Sequence, residues 1–136
     1  MFELSVITAE NKIFHGKVQS LTAPTVTGEV GVLTGHRAMI AKLDIGSLKV
    51  VDENKQSLNI FVAGGYLEVS NDKATVLADT AENIDEIALD QAIEARKKAQ
   101  EQLEKATDQV TAEALKQELK VMMMRERLAN IAKYRQ

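Results

Sequence analysis

The chain has no cysteine, which excludes disulfides and thiolate chemistry and leaves the redox compartment unread. It has no tryptophan and only 4% aromatic residues, too few to build a stacking platform for single-stranded nucleic acid. Histidine is almost as scarce: His15 and His36 are the only two, and without thiolates they do not make a convincing zinc site. Basic residues are the minority, 17 against 20 acids for a net charge of −3, which argues against a nucleic-acid partner. No stretch approaches the roughly 18 consecutive apolar residues of a membrane span. The opening MFELSVITAENK has an acid at position 3 and lacks the basic-then-apolar layout of a signal peptide, so the protein is expected in the cytosol or on a surface facing it.

What is present divides by period. At 136 residues the chain has room for one domain, or one small domain and an appendage. Phe2, Leu4 and Val6 alternate with Glu3, Ser5 and Ile7, the two-residue period of a strand. Short apolar runs follow at 18–23, 30–33, 39–43, 48–51, 58–63, 66–69 and 74–78. Turn residues separate them: Thr27-Gly28, Thr34-Gly35, Asp44 to Gly46, Asp52 to Asn54, Gly64-Gly65 and Ser70 to Asp72. Short strands at this even spacing predict a small sandwich or flattened barrel.

From residue 66 to the end there is neither glycine nor proline, and beyond Glu82 the good helix formers Ala, Glu, Gln, Lys and Leu dominate. Asn83 with Glu86 three residues later has the form of a capping box, and Asp85 adds charge suited to a helix start. Leu89, Ala92, Ile93, Ala99, Leu103 and Ala106 recur at helical spacing, an alanine-rich seam. Thr107-Asp108 interrupts, Thr111 offers another cap, and Leu115, Leu119, Met122, Met123 and Ala129 continue on a second stripe with Leu128 and Ile131 beside it. The expectation is an antiparallel helical hairpin. Charge is segregated onto it: from Lys120 to Gln136 five bases stand against Glu126 alone, a net of +4, so the rest of the chain carries −7. Such a basic end reads either as a docking element for an acidic protein surface or as a solvated face whose cations favour a helix C-terminus.

The stretch GEVGVLTGH could carry chemistry. A phosphate loop needs glycines feeding a helix N-terminus with lysine and Ser/Thr, yet Gly28, Gly31 and Gly35 are interleaved with the β-formers Val30, Val32 and Leu33. A glycine clamp on nucleic acid would want basic neighbours rather than Glu29 and Val30. His36 as a general base needs an orienting acid and a nucleophile in reach; Glu29, Thr34 and Asp44 are the nearby choices in sequence. No paired carboxylates, Ser-His-Asp set or metal-ligand spacing stands out, so the residues predict no catalytic group, no metal and no cofactor.

GEVGVLTGH, followed by AMIAKLDIG and then FVAGGYLEVSNDKATVLAD, resembles the epsilon subunits of bacterial F-type ATP synthases. The resemblance runs the length of the chain. It implies a ten-stranded β-sandwich over residues 1–83, which docks on the rotor, and a regulatory two-helix antiparallel hairpin over 84–136. The implied protein is not itself an enzyme but a central-stalk subunit coupling proton-driven rotation to ATP synthesis. Its partners would be the gamma subunit and the c-subunit ring, with the alpha and beta subunits reached by the last helix, and it would sit peripherally on the cytoplasmic face of the cell inner membrane. By the same resemblance Glu29 and His36, with Gly28, Gly31 and Gly35 shaping the turns, form the contact to ring and gamma at one end of the sandwich. Arg125, Arg127, Lys133 and Arg135 are the residues expected to meet acidic loops of the catalytic head and obstruct hydrolysis.

Two departures from the family pattern stand out. Thr34 and Ala38 occupy positions where the family often has proline, which implies a less rigid loop. Many members also carry Ile/Leu-Asp-x-x-Arg-Ala at the start of the first helix, an ATP-binding motif. Here Ala88 replaces its aspartate and Gln91 its arginine, while a register starting at Leu89-Asp90 would put Ile93 at the arginine. ATP binding is therefore not expected. The alternative reading from another class is a free-standing β-domain adaptor whose hairpin binds a partner helix.

Overall fold

The computed structural model describes residues 1–134, and the chain divides into two units, Met1–Asn83 and Ile84–Gln136. The first unit holds seven strands: β1 (Phe2–Ile7), β2 (Lys12–Thr25), β3 (Gly28–Leu33), β4 (Met39–Lys42), β5 (Gly46–Asp52), β6 (Ser57–Ser70) and β7 (Lys73–Asn83). The expected ten become seven because three strands each serve in two layers. Residues 12–18 of β2 pair with β1, and 18–25 pair with β5 and β3. Residues 57–62 of β6 pair with β5 and 66–69 with β4, while β7 follows β6 along its length and lies parallel to β1 over 73–77. One layer is β3, late β2, β5, early β6 and late β7; the other is early β2, β1, early β7, late β6 and β4. Counted as halves, the three shared strands with the remaining four restore ten segments. The circuit β1-β2-β5-β6-β7-β1 closes, so this is a flattened barrel with an apolar filling.

A strand that changes layers must change which residues face inward, because side chains alternate along it. In β2 the buried positions shift from Val18 to Leu21 and Ala23, and a bulge at Gln19 supplies the extra residue. In β6 they shift from Ile60 and Val62 to Leu67 and Val69, and opposite them in β7 from Ala78 to Ala81. Between the two sets lie Gly64 and Gly65, at φ 75° and 104°. The Gly-Gly pair is therefore not the turn its composition predicted but the point where β6 crosses between layers. A Cβ on Gly65 would overlap the Leu77 carbonyl oxygen and lie 2.7 Å from Ala78 Cα. The genuine β6–β7 turn is two residues, Asn71 and Asp72, both at positive φ, the form that matches strand twist.

In the second unit a 3₁₀ turn (Ile84–Glu86) precedes α1 (Leu89–Glu104) and α2 (Gln109–Tyr134). Asn83 ends β7, paired with Ile60, and is followed by the 3₁₀ turn rather than by α1; the start of the first α-helix moves to Leu89, where Ala88 holds the cap position without a side-chain bond. Likewise it is Asp108, not Thr111, that caps α2: its Oδ2 accepts from the Thr111 amide at 3.0 Å. That bond from the Thr111 backbone holds the Asp108 carboxyl below its ordinary range. A depressed carboxylate supports the fold above its unfolded pKa and loses that support as pH falls through the lower, folded value. The Thr111 amide is therefore expected to lose protection, measured against its intrinsic exchange rate at each pH, as acid titrates Asp108, and Asp108→Ala to lack that protection already at neutral pH, as amide exchange by NMR would read.

The fully buried residues of the two helices are all small. Ala92, Ala99 and Ala129 are buried, Leu103, Leu115, Leu119 and Met122 are half-buried, and Met123 and Ile131 of the predicted stripe are exposed. A buried methyl contributes only about 0.8 kcal/mol, so apolar closure of this pair of helices is weak.

Candidate functional site

Three features of the molecule present chemistry to a partner. The first is the edge formed by β3 and its flanking turns. Thr25, 4% exposed, donates its hydroxyl to the Gly28 carbonyl and accepts from the Thr27 amide at 3.3 Å, which ties the turn where Gly28 sits at φ 120°. Glu29 follows, exposed and opposite Pro24. The Pro24 carbonyl accepts from the Asp44 amide at 2.9 Å, and the Lys42 carbonyl from Val26 at 3.1 Å. Glu29, Lys42 and Asp44, all exposed, thus share one end of the sandwich.

His36 does not join them. Between Glu29 and the Thr34-Gly35 turn the chain is extended, and Glu29 to Leu33 alone spans about 13 Å at strand rise. The structure therefore separates the Glu29 and His36 positions to opposite ends of β3, where one end was expected. Near His36 the Gly35 amide, at φ 83°, donates to Asp72 Oδ1 at 3.3 Å, and Asp72 accepts from Glu3 at 3.0 Å. His36 Nδ1 lies 2.7 Å from the Arg37 carbonyl oxygen; a carbonyl only accepts, so Nδ1 carries the proton there. Glu29 and Asp44, at the far end of β3, cannot orient this ring as a catalytic base. Gly31 lies within β3 and shapes no turn.

The second feature is the outer face of the β4-containing layer. Lys42 pairs with Tyr66, Tyr66 with Leu77, and Leu77 with Ile7, one row across four strands. Tyr66 is 53% exposed, Leu77 48% and neighbouring Ile40 73%. Composition gave no hint of this patch, because each residue lies in a different strand. The period-two pattern could have marked Tyr66 and Leu77, both out of phase with the core.

The third is α2. The cations expected to act together do not share a face: at 100° per residue Arg125 and Arg127 point about 160° apart. Arg125 is half-buried with a partner of its own, Arg127 and Lys133 are exposed, and Arg135 lies outside the described residues. The face that does line up is Lys116, Lys120, Met123, Arg127, Ile131 and Tyr134, every one exposed and spaced four, three, four, four and three. Its period was readable, but the apolar and the basic residues were counted apart. Ala88 and Gln91 are both exposed at the start of α1. Among the described residues no helix is long and apolar enough to cross a membrane, and no group of three acids or histidines could hold a metal.

Comparison with known proteins shows the family. Residues 1–84 match the family model of the ATP synthase delta/epsilon chain β-sandwich domain. The chain is 38% identical over 120 residues to the ATP synthase epsilon chain of Bordetella petrii, covering 88% of this chain and 85% of that one. It is 40% identical over 104 residues to the epsilon chain of Pelotomaculum thermopropionicum, covering 76% and 77%. Among solved structures a chain of the Euglena gracilis mitochondrial ATP synthase (OSCP/F1/c-ring) superposes with a TM-score of 0.76 at 22% identity, over 91% of this chain and 78% of that one. One from the Tetrahymena thermophila central stalk and c-ring gives 0.59 at 16%. At those identities the structural likeness speaks for the fold.

Proposed function

This chain belongs to the ATP synthase delta/epsilon family, and from that premise we propose how its parts act. It is a central-stalk subunit of an F-type ATP synthase, not an enzyme by itself, and serves ATP synthesis as part of the rotor of a membrane-associated complex. The sandwich joins the gamma shaft to the c-subunit ring. The observation that carries this reading is the apolar row on the outer sheet face: an exposed patch of Ile40, Tyr66 and Leu77 is costly to leave wet and marks a protein contact, here the shaft. The Glu29 end, charged and close to the backbone at Gly28, meets the polar loops of the ring, and the His36 end lies against gamma. Their separation by β3 gives the sandwich two grips instead of one.

The hairpin reaches the alpha and beta subunits. Arg127 and Lys133, with Lys116 and Lys120 on the stripe, supply charge to acidic loops of the catalytic head; Arg125, already engaged, does so only after its own contact breaks. In the Asp and Arg places of the family's nucleotide motif, Ala88 offers no carboxylate and Gln91 no cation, so the hairpin works without bound ATP. The site of action is the cytoplasmic face of the inner membrane.

Co-elution with purified gamma tests the docking surface. The full chain is expected to form a complex, Tyr66→Asp to weaken it by about tenfold or more, as loss of a central aromatic anchor does, and Glu29→Gln to leave it intact. In vesicles carrying the whole enzyme, Glu29→Gln is expected to lower ATP-driven proton pumping without lowering hydrolysis. If the full chain does not co-elute with gamma, the adaptor reading replaces this one.

A further inference from the structure

A charged contact crosses the seam between α1 and α2. Arg96, midway along α1, donates from Nε to Glu126 Oε2 at 2.8 Å and from Nη2 to Oε1 at 3.4 Å, a two-pronged engagement of the carboxylate. Its remaining prong, Nη1, donates to Gln100 Oε1 at 3.1 Å, one turn on, so the guanidinium is held in place before it meets Glu126. Both side chains are about three-quarters covered, at 26% and 24% exposure, which shields the pair from solvent more than a surface bridge. The Glu126 carboxylate also holds the Arg96 proton more tightly than usual. By contrast Lys116–Glu113, at 3.4 Å, joins neighbouring turns of one helix and is exposed at 61% and 62%.

Where alanines are the only fully buried residues of the two helices and the larger apolar side chains are half-exposed, a bridge of this kind has a large share in deciding whether the helices stay together. We propose that Arg96 and Glu126 form the latch of the hairpin, an ion pair that sets how readily α1 and α2 part, without any bound ligand. The inference rests on the proposed reading of the hairpin as the regulatory element that reaches the catalytic head, and it names what holds that element closed. Ionic strength becomes the natural control, because added salt weakens a partly exposed pair and leaves alanine packing untouched. Parting the helices uncovers the half-buried Leu89, Ile93 and Leu119 beside the latch, which line the groove next to it.

Amide hydrogen exchange on the full-length chain tests this, since exchange reads opening even when the open state is rare. Glu126→Gln is expected to speed exchange across the central turns of α1 and α2 by about three- to tenfold, the range of a partly screened pair, with the β5 amides unchanged. The exchanged pair, Arg96→Glu with Glu126→Arg, is expected to return rates to those of the native chain. Glu113→Gln, which breaks only the intrahelical bridge, should change nothing. Raising salt to about 1 M, where screening reaches only a few ångströms, should speed the native chain towards the Glu126→Gln rate while moving that variant little. Equal rates in the native chain and Glu126→Gln, or failure of the exchanged pair to restore them, overturns the latch. These readouts use the chain alone, so they stand apart from whether the hairpin inhibits hydrolysis.

Discussion

Gly65→Ala is expected to lower the stability of the sandwich by roughly 3–5 kcal/mol, the sum of left-handed backbone strain and a backbone overlap that cannot relax. For a unit of this size that is a fall of about 15–30 °C in the melting midpoint. The reason is local. β6 changes layers at Gly64-Gly65, and at Gly65 the neighbour is not a movable side chain but the Leu77 carbonyl and Ala78 Cα of the paired strand. At Gly64 a Cβ would meet the Asp79 carboxylate, which can swing away. Gly28→Ala combines a positive φ with open space, so its cost is strain alone, about 1–3 kcal/mol. Gly31 has neither a positive φ nor a neighbour within 4 Å, and Gly31→Ala should leave the midpoint within a few degrees of the native value. Thermal unfolding followed by circular dichroism in the β region orders the four variants. A Gly65→Ala chain that melts with Gly31→Ala would refute the crossing-point account. Since the Gly65 carbonyl accepts from the Leu43 amide at 2.9 Å, the same variant should also loosen the Glu29 end.

The second large effect concerns the hairpin. A chain ending after Asn83 is expected to bind the gamma shaft as the full chain does, and to leave hydrolysis at the rate of a catalytic head depleted of this subunit. The full-length chain, titrated into that head, is expected to suppress hydrolysis. The cut falls at the boundary between the two units and after the last β7 pairing, Asn83 with Ile60, so every strand keeps its partners. Reversing the charge of the exposed stripe by Lys120→Glu with Arg127→Glu should relieve most of the suppression and leave gamma binding unchanged. Suppression that survives in the shortened chain would move the brake from the hairpin to the sandwich.

Much of this architecture was legible in the residues, and the exceptions have physical causes. The alternation in β1 and the switch of period after residue 82 are local signals, and both stand. A Gly-Gly pair is ordinarily a turn signal, and only the backbone of the partner strand at Leu77 and Ala78 makes glycine necessary at this crossing. Asn83 and Glu86 carry a genuine capping pattern, but Asn83 gains more from its place in the β7 ladder than from starting a helix. Asp108 and Thr111 are both good cap residues, and spacing alone does not choose between them. At the candidate site Glu29 and His36 are near neighbours in sequence and at opposite ends of β3, since the extended chain from Glu29 to Leu33 covers more ground than a loop of the same length. Arg96 and Glu126 show the converse. Thirty residues separate them, and their pairing follows only from the register of two antiparallel helices.

One consequence of the strand order reaches back to how the protein is made. β1, the earliest strand of the sandwich in chain order, lies between β2 and β7 and runs parallel to β7. It can find β2 at once through a short hairpin, but its other edge stays bare until residues 73–77 have been synthesised. Closing that ring joins segments about seventy residues apart in the chain, the kind of distant pairing that slows folding. The nascent sandwich therefore carries an open β-edge almost to the completion of its last strand, and its first residues are sealed only when its last ones arrive.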